Sequence, residues 1–449
     1  MFLPSDLCLV PALWNIENFF PIMDNKSFQM GCTMIDGKLI KFHREDSGLT
    51  QEQLAQGICS TTHLSKIERG ITEYSREITD LLAKRLRINM EAERARYQSL
   101  QLKLADWNDA VIMIRSCEIH QLKSEIEKEP LRFLSDFFVQ YQLLLARYYL
   151  FLDQPEKAKD ILDMLEKKND VSSPFEQNLL LHVKGIYFFS TRKFNSCIQA
   201  LNQIDDEYPN SEYYFHLALA YHSIHSNTFA YYYGQRALQF FQKTLNILRV
   251  IDSETLILIQ LNAKEPFDME QNKQQYDKLL RLCESVNSKE RAHKIHNNLG
   301  FEYFRRKRYP ESKESYEKAL ALITEKTPAS YYLVTLSGYI LSCMKGYLLS
   351  KEELHHLSVK GLTRAKEHQD PSLVFFEIYL LSLKEDEEEL YTYIEKTALP
   401  HFKCTGSQLM YQHYERKLFL YYVKTGQTEK GFQLASEKMS NEISYYELE

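Results

Sequence analysis

Glycine and proline are scarce, at 14 and 12 of 449 residues. So few helix breakers, against abundant Leu, Glu, Lys and Gln, exclude the turn-dense all-β folds and predict an all-α chain. No apolar run reaches the ~18–20 residues that a bilayer-spanning helix needs, so no membrane partner is expected. Eight cysteines stand at 8, 32, 59, 117, 197, 283, 343 and 404. None forms a Cys-x-x-Cys pair, and their spacing suits neither a disulfide framework nor a metal site. Dispersed thiols of this kind fit a reducing cytoplasm. An excess of positive charge is also missing. Lys and Arg number 55 against 61 Asp and Glu, a net charge of −6, which excludes a polybasic nucleic-acid coat protein. The phosphate-binding loop, dinucleotide fingerprint, nucleophile elbow and His-Glu-x-x-His pair are all absent, so neither an enzyme nor a cofactor is expected. The first twenty residues lack a basic start and contain Asp6 and Glu17, which does not describe a secretory signal.

What the chain does have is concentrated first in residues 49–70. Thr50 with Gln53 three residues on is a capping box before Leu54 and Ala55. Gly57 closes that helix, Ser60 or Thr61 opens the next, and Leu64 and Ile67 supply its inward positions before Gly70 stops it. The outward side of the second helix offers Thr61, Thr62, His63 and Lys66, a small and polar face able to enter a DNA major groove. Leu39, Ile40 and Phe42 mark a preceding helix, and Ile78, Leu81, Leu82, Leu86 and Ile88 a following one, at i, i+3, i+4 spacing. Within residues 34–90, nine Lys/Arg face eight Asp/Glu. Phosphate attraction from one copy is therefore weak, and two copies on one duplex are expected.

Four domains follow. Residues 1–33 read as an N-terminal extension of no assigned role, interrupted by Pro4, Pro11 and Pro21, with Met34 directly before the first recognised helix. Residues 34–90 are the DNA-binding unit. Residues 91–130 are connecting helices anchored by Trp107, Val111, Ile112 and Ile114 and ended by Pro130. Residues 131–449 carry a repeat. Gly185, Phe188, Cys197, Leu201 and Ile204 fall at offsets 0, 3, 12, 16 and 19, and Gly300, Tyr303, Ser312, Tyr316 and Ala319 reproduce them. So do Ala218, Tyr221, Ala230, Gly234 and Ala237, and Ala146, Tyr149, Ala158, Leu162 and Leu165. Small residues let paired helices approach closely while the aromatic fills the gap between them. This is the tetratricopeptide pattern, with roughly eight pairs including weaker ones at 244–286, 329–369, 371–399 and 406–441. Such an array predicts a right-handed superhelix whose first helices line a concave face. Arg147, His182, Phe215, His216, His222, Asn297, Asn298, Phe301 and Phe304 are the candidate lining. Asn297 and Asn298 can each clamp a peptide backbone by donating and accepting at once, and Arg147 can hold a peptide carboxylate. The scattered histidines suit packing or hydrogen bonding better than metal. The run Arg305-Arg306-Lys307-Arg308 complements a helix C-terminus or meets an acidic partner.

Leu49-Thr50-Gln51-Glu52, Leu54-Ala55 and Leu64-Ser65-Lys66-Ile67-Glu68-Arg69-Gly70 resemble the phage-repressor-like (Xre) helix-turn-helix. The short turn Gly57-Ile58-Cys59-Ser60 looks like the version in the RNPP family, the Rap, Rgg, NprR, PlcR and PrgX proteins of Gram-positive bacteria. Members other than Rap join such a domain to tetratricopeptide repeats that bind a short, imported signalling peptide. The resemblance implies that Gln51 holds a phosphate or base. It implies that Thr61, Thr62, His63 and Lys66 meet DNA, and that Arg44 and Glu68 form a buried salt bridge. For Asn298, in His-Asn-Asn-Leu-Gly, it implies peptide-backbone binding.

The expectation is a cytoplasmic quorum-sensing transcription regulator. It binds a palindromic duplex as a homodimer or higher homo-oligomer and is controlled by a short peptide in the repeat groove. The alternative is a Rap-like interaction module that binds and inhibits a response regulator or phosphorelay partner.

Overall fold

The structure, a computed structural model, describes residues 25–71, 75–168, 171, 173–264, 268–325, 327–405 and 407–436. The remaining part of the extension, residues 1–24, and the end of the last expected repeat, residues 437–441, lie outside them. The described residues are helical with connecting turns, and no strand occurs among them. They divide into two compact units, up to His216 and from Leu217 onward.

The first unit opens with α1 (Asn25–Asp46), α2 (Gln51–Ala55), α3 (Thr61–Glu68) and α4 (Arg76–Leu86). Helix α1 begins at Asn25, nine residues before the expected boundary at 34, because no proline follows Pro21 to break it. Leu39, Ile40, Leu54, Ala55, Leu64 and Ile67 are buried as their spacing predicts. Leu82 and Leu86 are buried as well, joined by Ala83, but Leu81 is 49% exposed. A Cβ on Gly37 would overlap the Ile67 carbonyl, so α1 and α3 touch backbone to backbone there.

The helices α5 (Met90–Ile112) and α6 (Ser116–Glu127) connect onward, and Pro130 opens a short 3-10 turn. They are not a spacer. One core runs unbroken from Leu39 through Trp107 to Tyr141 and Tyr148. Polar bonds reinforce it. Asp36 pairs with Arg94 at 2.6 Å, Lys38 with Asp136 at 2.7 Å, and His43 with Glu93 at 2.9 Å. The Tyr97 hydroxyl donates to Asp136 at 2.8 Å. The repeats then begin with α7 (Ser135–Phe151), α8 (Pro155–Lys168), α9 (Pro174–Ser190) and α10 (Phe194–Leu201), and α11 (Tyr213–Ser223) starts here. A Cβ on Gly185 would overlap the Leu201 side chain, the contact that offsets 0 and 16 anticipate.

The second unit continues with α12 (Asn227–Lys243), α13 (Ile247–Lys264), α14 (Met269–Ser285), α15 (Lys289–Arg305), α16 (Tyr309–Ala321), α17 (Ala329–Gly346) and α18 (Lys351–Glu367). Its last described elements are α19 (Leu373–Lys384), α20 (Glu387–Tyr393), α21 (Leu399–Cys404), α22 (Gln408–Lys424) and a helical stretch at 428–436. Several of its helix-to-helix turns carry a residue with positive φ, such as Leu245, Asn287 or Lys307, which lets the chain reverse within a few residues. A Cβ on Gly300 would stand 3.1 Å from the Tyr316 ring. Ser312 at offset 12 comes close enough to donate to the Gly300 carbonyl at 2.7 Å. Between α20 and α21 the helix continues through a π-turn, Ile394–Ala398, in which the Leu399 N–H reaches the Ile394 carbonyl. Pro400 has no N–H for the regular ladder, so one wider turn carries the helix past it. The expected break at 399 is therefore a distortion within one run.

Candidate functional site

Helices α2 and α3 carry the first candidate. The Thr50 side chain accepts from Gln53 N–H while the Gln53 side chain accepts from Thr50 N–H, the capping box read from sequence. Gly57 turns the chain at φ +71°, a conformation that costs glycine little. Ser60 caps α3 by accepting from His63 N–H at 3.1 Å. Leu64 and Ile67 then point inward, which leaves Thr61, Thr62 and Lys66 exposed and His63 half-buried on the outer side.

Behind this face Arg44 and Glu68 form the buried pair. Nε meets Oε1 at 2.6 Å and Nη2 meets Oε2 at 3.0 Å, while Nη1 donates to the Leu49 carbonyl at 3.0 Å. Glu68 also receives Gln51, whose Nε2 donates to Oε2 at 2.7 Å. The expectation for Gln51 needs correction here. One amide N–H is committed to the structural pair, so only the remaining N–H and carbonyl are free for DNA. Sequence reasoning missed Arg85. From α4 it donates to the Leu54 carbonyl at 2.9 Å and to the Gln56 carbonyl, satisfying open acceptors at the end of α2. Its partners lie about thirty residues away, so no local pattern announces it.

The expected repeat lining separates into closed and open residues. In the first unit Arg147 is buried and paired with Glu212. Its guanidinium has the protein's own carboxylate and is not open to a peptide's. His182 is fully buried and faces His216 at 3.3 Å. Burial, and then the Arg147 cation, hold its proton affinity well below the ordinary histidine value. Phe215 and His216 are buried too. Glu212 and Tyr208 of the α10–α11 connection, with Tyr213 and His216 of α11, close over Arg147 and His182, a packing that repeat offsets cannot show. In the second unit His222 is half-buried and bonded to Gln260 at 2.9 Å. Helix α15 holds the open residues. Phe301 is 49% exposed, and Phe304 is half-buried against Tyr309. Asn297 Oδ1 accepts from Thr335 at 3.1 Å, whereas Asn298, half-buried, makes no side-chain hydrogen bond among the described residues. The basic run is answered locally: Glu302 takes Arg305 and Arg306, and Glu311 takes Arg308. No group of three metal-ligating side chains occurs among the described residues.

The described chain joins a helix-turn-helix domain to an array of paired helices. The helix-turn-helix family model matches residues 40–92. The transcriptional activator NprA of Geobacillus stearothermophilus is 24% identical over 406 residues, which cover 86% of this chain and 98% of that protein. The apo quorum sensor NprR of B. thuringiensis shares the fold with a TM-score of 0.63 at 20% identity, over 76% of this chain and 98% of that one. NprR in complex with its cognate peptide NprX gives 0.61 at 20% identity, over 76% and 99%. No described helix is long and apolar enough to cross a membrane.

Proposed function

We propose that the chain is a peptide-controlled transcription regulator that reads duplex DNA with α3 as a dimer. The observation that carries this reading is the outer side of α3. Thr61, Thr62 and Lys66 are exposed there, while Leu64, Ile67 and the Arg44–Glu68 pair anchor the opposite side. Hydroxyls and an imidazole suit base edges, and Lys66 suits a phosphate that fixes register. Two such helices would meet half-sites about 34–36 Å apart. The likeness to NprA and to NprR with its peptide supports the same reading. Within the expected peptide set, Asn298 and Phe301 on α15 are the residues left open to a ligand, and the proposed peptide contact rests on them.

Selection of genomic fragments by the full chain tests the DNA half. A recovered palindrome supports it, provided that Thr61→Ala with Thr62→Ala loses the preference while keeping the melting temperature. Recovery of no common sequence removes it. Calorimetry with short synthetic peptides tests the other half. Asn298→Ala should abolish binding of any peptide the native chain binds, and unchanged affinity would remove α15 as the site.

A further inference from the structure

Three buried polar residues of the first unit are closed off by one segment. Arg147 on α7 and His182 on α9 hold positions expected to line the repeat groove, and Asn178 lies one turn before His182. What covers them is residues 202–212, the connection from α10 to α11. Residues 244–246 suffice to join α12 to α13, and residues 286–288 to join α14 to α15. The longer connection reaches α9 at Phe175, Asn178 and His182 and α7 at Arg147.

Its contacts are those of a bound peptide. Asn178 Oδ1 accepts from the Asp205 backbone N–H at 3.0 Å, and Asn178 Nδ2 donates to the Asp205 carboxylate at 3.2 Å. The Tyr208 ring is buried, edge-on to His182 at 6.1 Å and beside Phe175 at 6.0 Å. Glu212, also buried, pairs with Arg147. Tyr208, Asn210 and Glu212 turn inward while Glu207 and Pro209 are exposed, the alternation of an extended segment. The fit is incomplete. His182 Nδ1 and Asn210 Nδ2 are buried and find no hydrogen-bond partner among the described residues, a cost that permanent core contacts seldom carry. A segment that served only to join two helices would need neither a backbone clamp nor a carboxylate on a buried guanidinium.

We propose that Asp205–Glu212 is an internal ligand, held in a peptide site formed by Arg147, Asn178 and His182. The peptide this site takes is extended and acidic, with an aromatic residue four positions before a carboxylate, as Tyr208 precedes Glu212. The tethered copy competes with any such peptide at an effective concentration of about a millimolar, so the site admits one only as the tethered copy leaves. The site lies in the first unit and is separate from α3 and α15, so it stands whether or not either of those readings is correct.

The probe is the same segment supplied in trans, the end-blocked octapeptide Asp-Asp-Glu-Tyr-Pro-Asn-Ser-Glu, titrated into the full chain by calorimetry. Tyr208→Ala removes the ring that seats the tethered copy and leaves Arg147 its carboxylate. The variant should bind the octapeptide at least about tenfold tighter than the native chain does. An octapeptide ending in Gln should bind the variant about tenfold more weakly, because it offers Arg147 no charged partner. Absence of binding to the folded variant, equal affinity of the two chains, or equal affinity of the two peptides overturns the site. Hydrogen exchange in the native chain tests the same point without a substitution. The buried Glu212 N–H, bonded to Asn210 Oδ1 at 3.1 Å, should exchange at least about a hundredfold faster than the Val183 N–H inside α9. Equal protection would mean that the segment leaves only when the unit unfolds, and that also overturns the proposal.

Discussion

Glu68 is the residue on which the proposed DNA-reading face turns. It is 4% exposed, takes two hydrogen bonds from Arg44 and a third from Gln51, and so ties α1, α2 and α3 together. Replacing Arg44 by Met strands a buried carboxylate, and the expected loss is about 3–5 kcal/mol in urea denaturation. A loss below about 1 kcal/mol would show that water reaches the pair. Lys66 acts differently, because it is exposed and has no role in the core. Lys66→Gln should leave the melting temperature alone and reduce the salt dependence of duplex binding by about one counterion per protomer. Fluorescence anisotropy across a salt series reads that slope. Arg44, Glu68 and the α3 face were all legible in the linear chain, because local spacing and the family pattern mark them. The commitment of Gln51 and the role of Arg85 were not, since each depends on a partner brought in by folding.

At the scale of the element, the repeat is legible because it is written in small residues. A Cβ at Gly185 would run into Leu201. Gly185→Ala should therefore cost about 1–3 kcal/mol through overpacking, whereas alanine at an exposed helical position is close to neutral or favourable. The turns behave in the opposite sense. Leu245 is 72% exposed and held at φ 56°, a conformation that costs a branched side chain ~1–2 kcal/mol. Leu245→Gly should raise stability by about 0.5–1 kcal/mol after the added chain entropy is counted. A fall in melting temperature would show that the Leu245 side chain packs usefully. The π-turn before Pro400 was not legible. Sequence marks proline as a stop, but packing of Ile394, Ala398, Leu399 and Phe402 into the C-terminal core keeps the helix going.

Histidines wholly or partly buried contribute to the pH response of the fold. Burial holds His182, His222, His293 and His296 below the ordinary value of 6.5. These rings stay neutral in the fold but take protons when unfolded, so the unfolded chain binds more protons below that value. The associated stability is complete above pH 6.5 and is lost as pH falls beneath it. Melting temperature should therefore drop between pH 7 and 5.5. His182→Gln should flatten part of the drop, and an unchanged curve would show that its depressed proton affinity does not matter. The amino-acid order by itself determined that this chain is helical, where its helix-turn-helix lies, and that its repeats pair by close approach. Each of those follows from interactions within about twenty residues. Only the tertiary structure decided which expected ligand contacts stay open. Arg147 and His182 have the right chemistry in the right repeat position, yet Glu212 and His216 claim them, while Asn298 and Phe301 escape such partners. Periodicity places a side chain on a face, but the neighbouring helix decides whether that face meets protein or ligand.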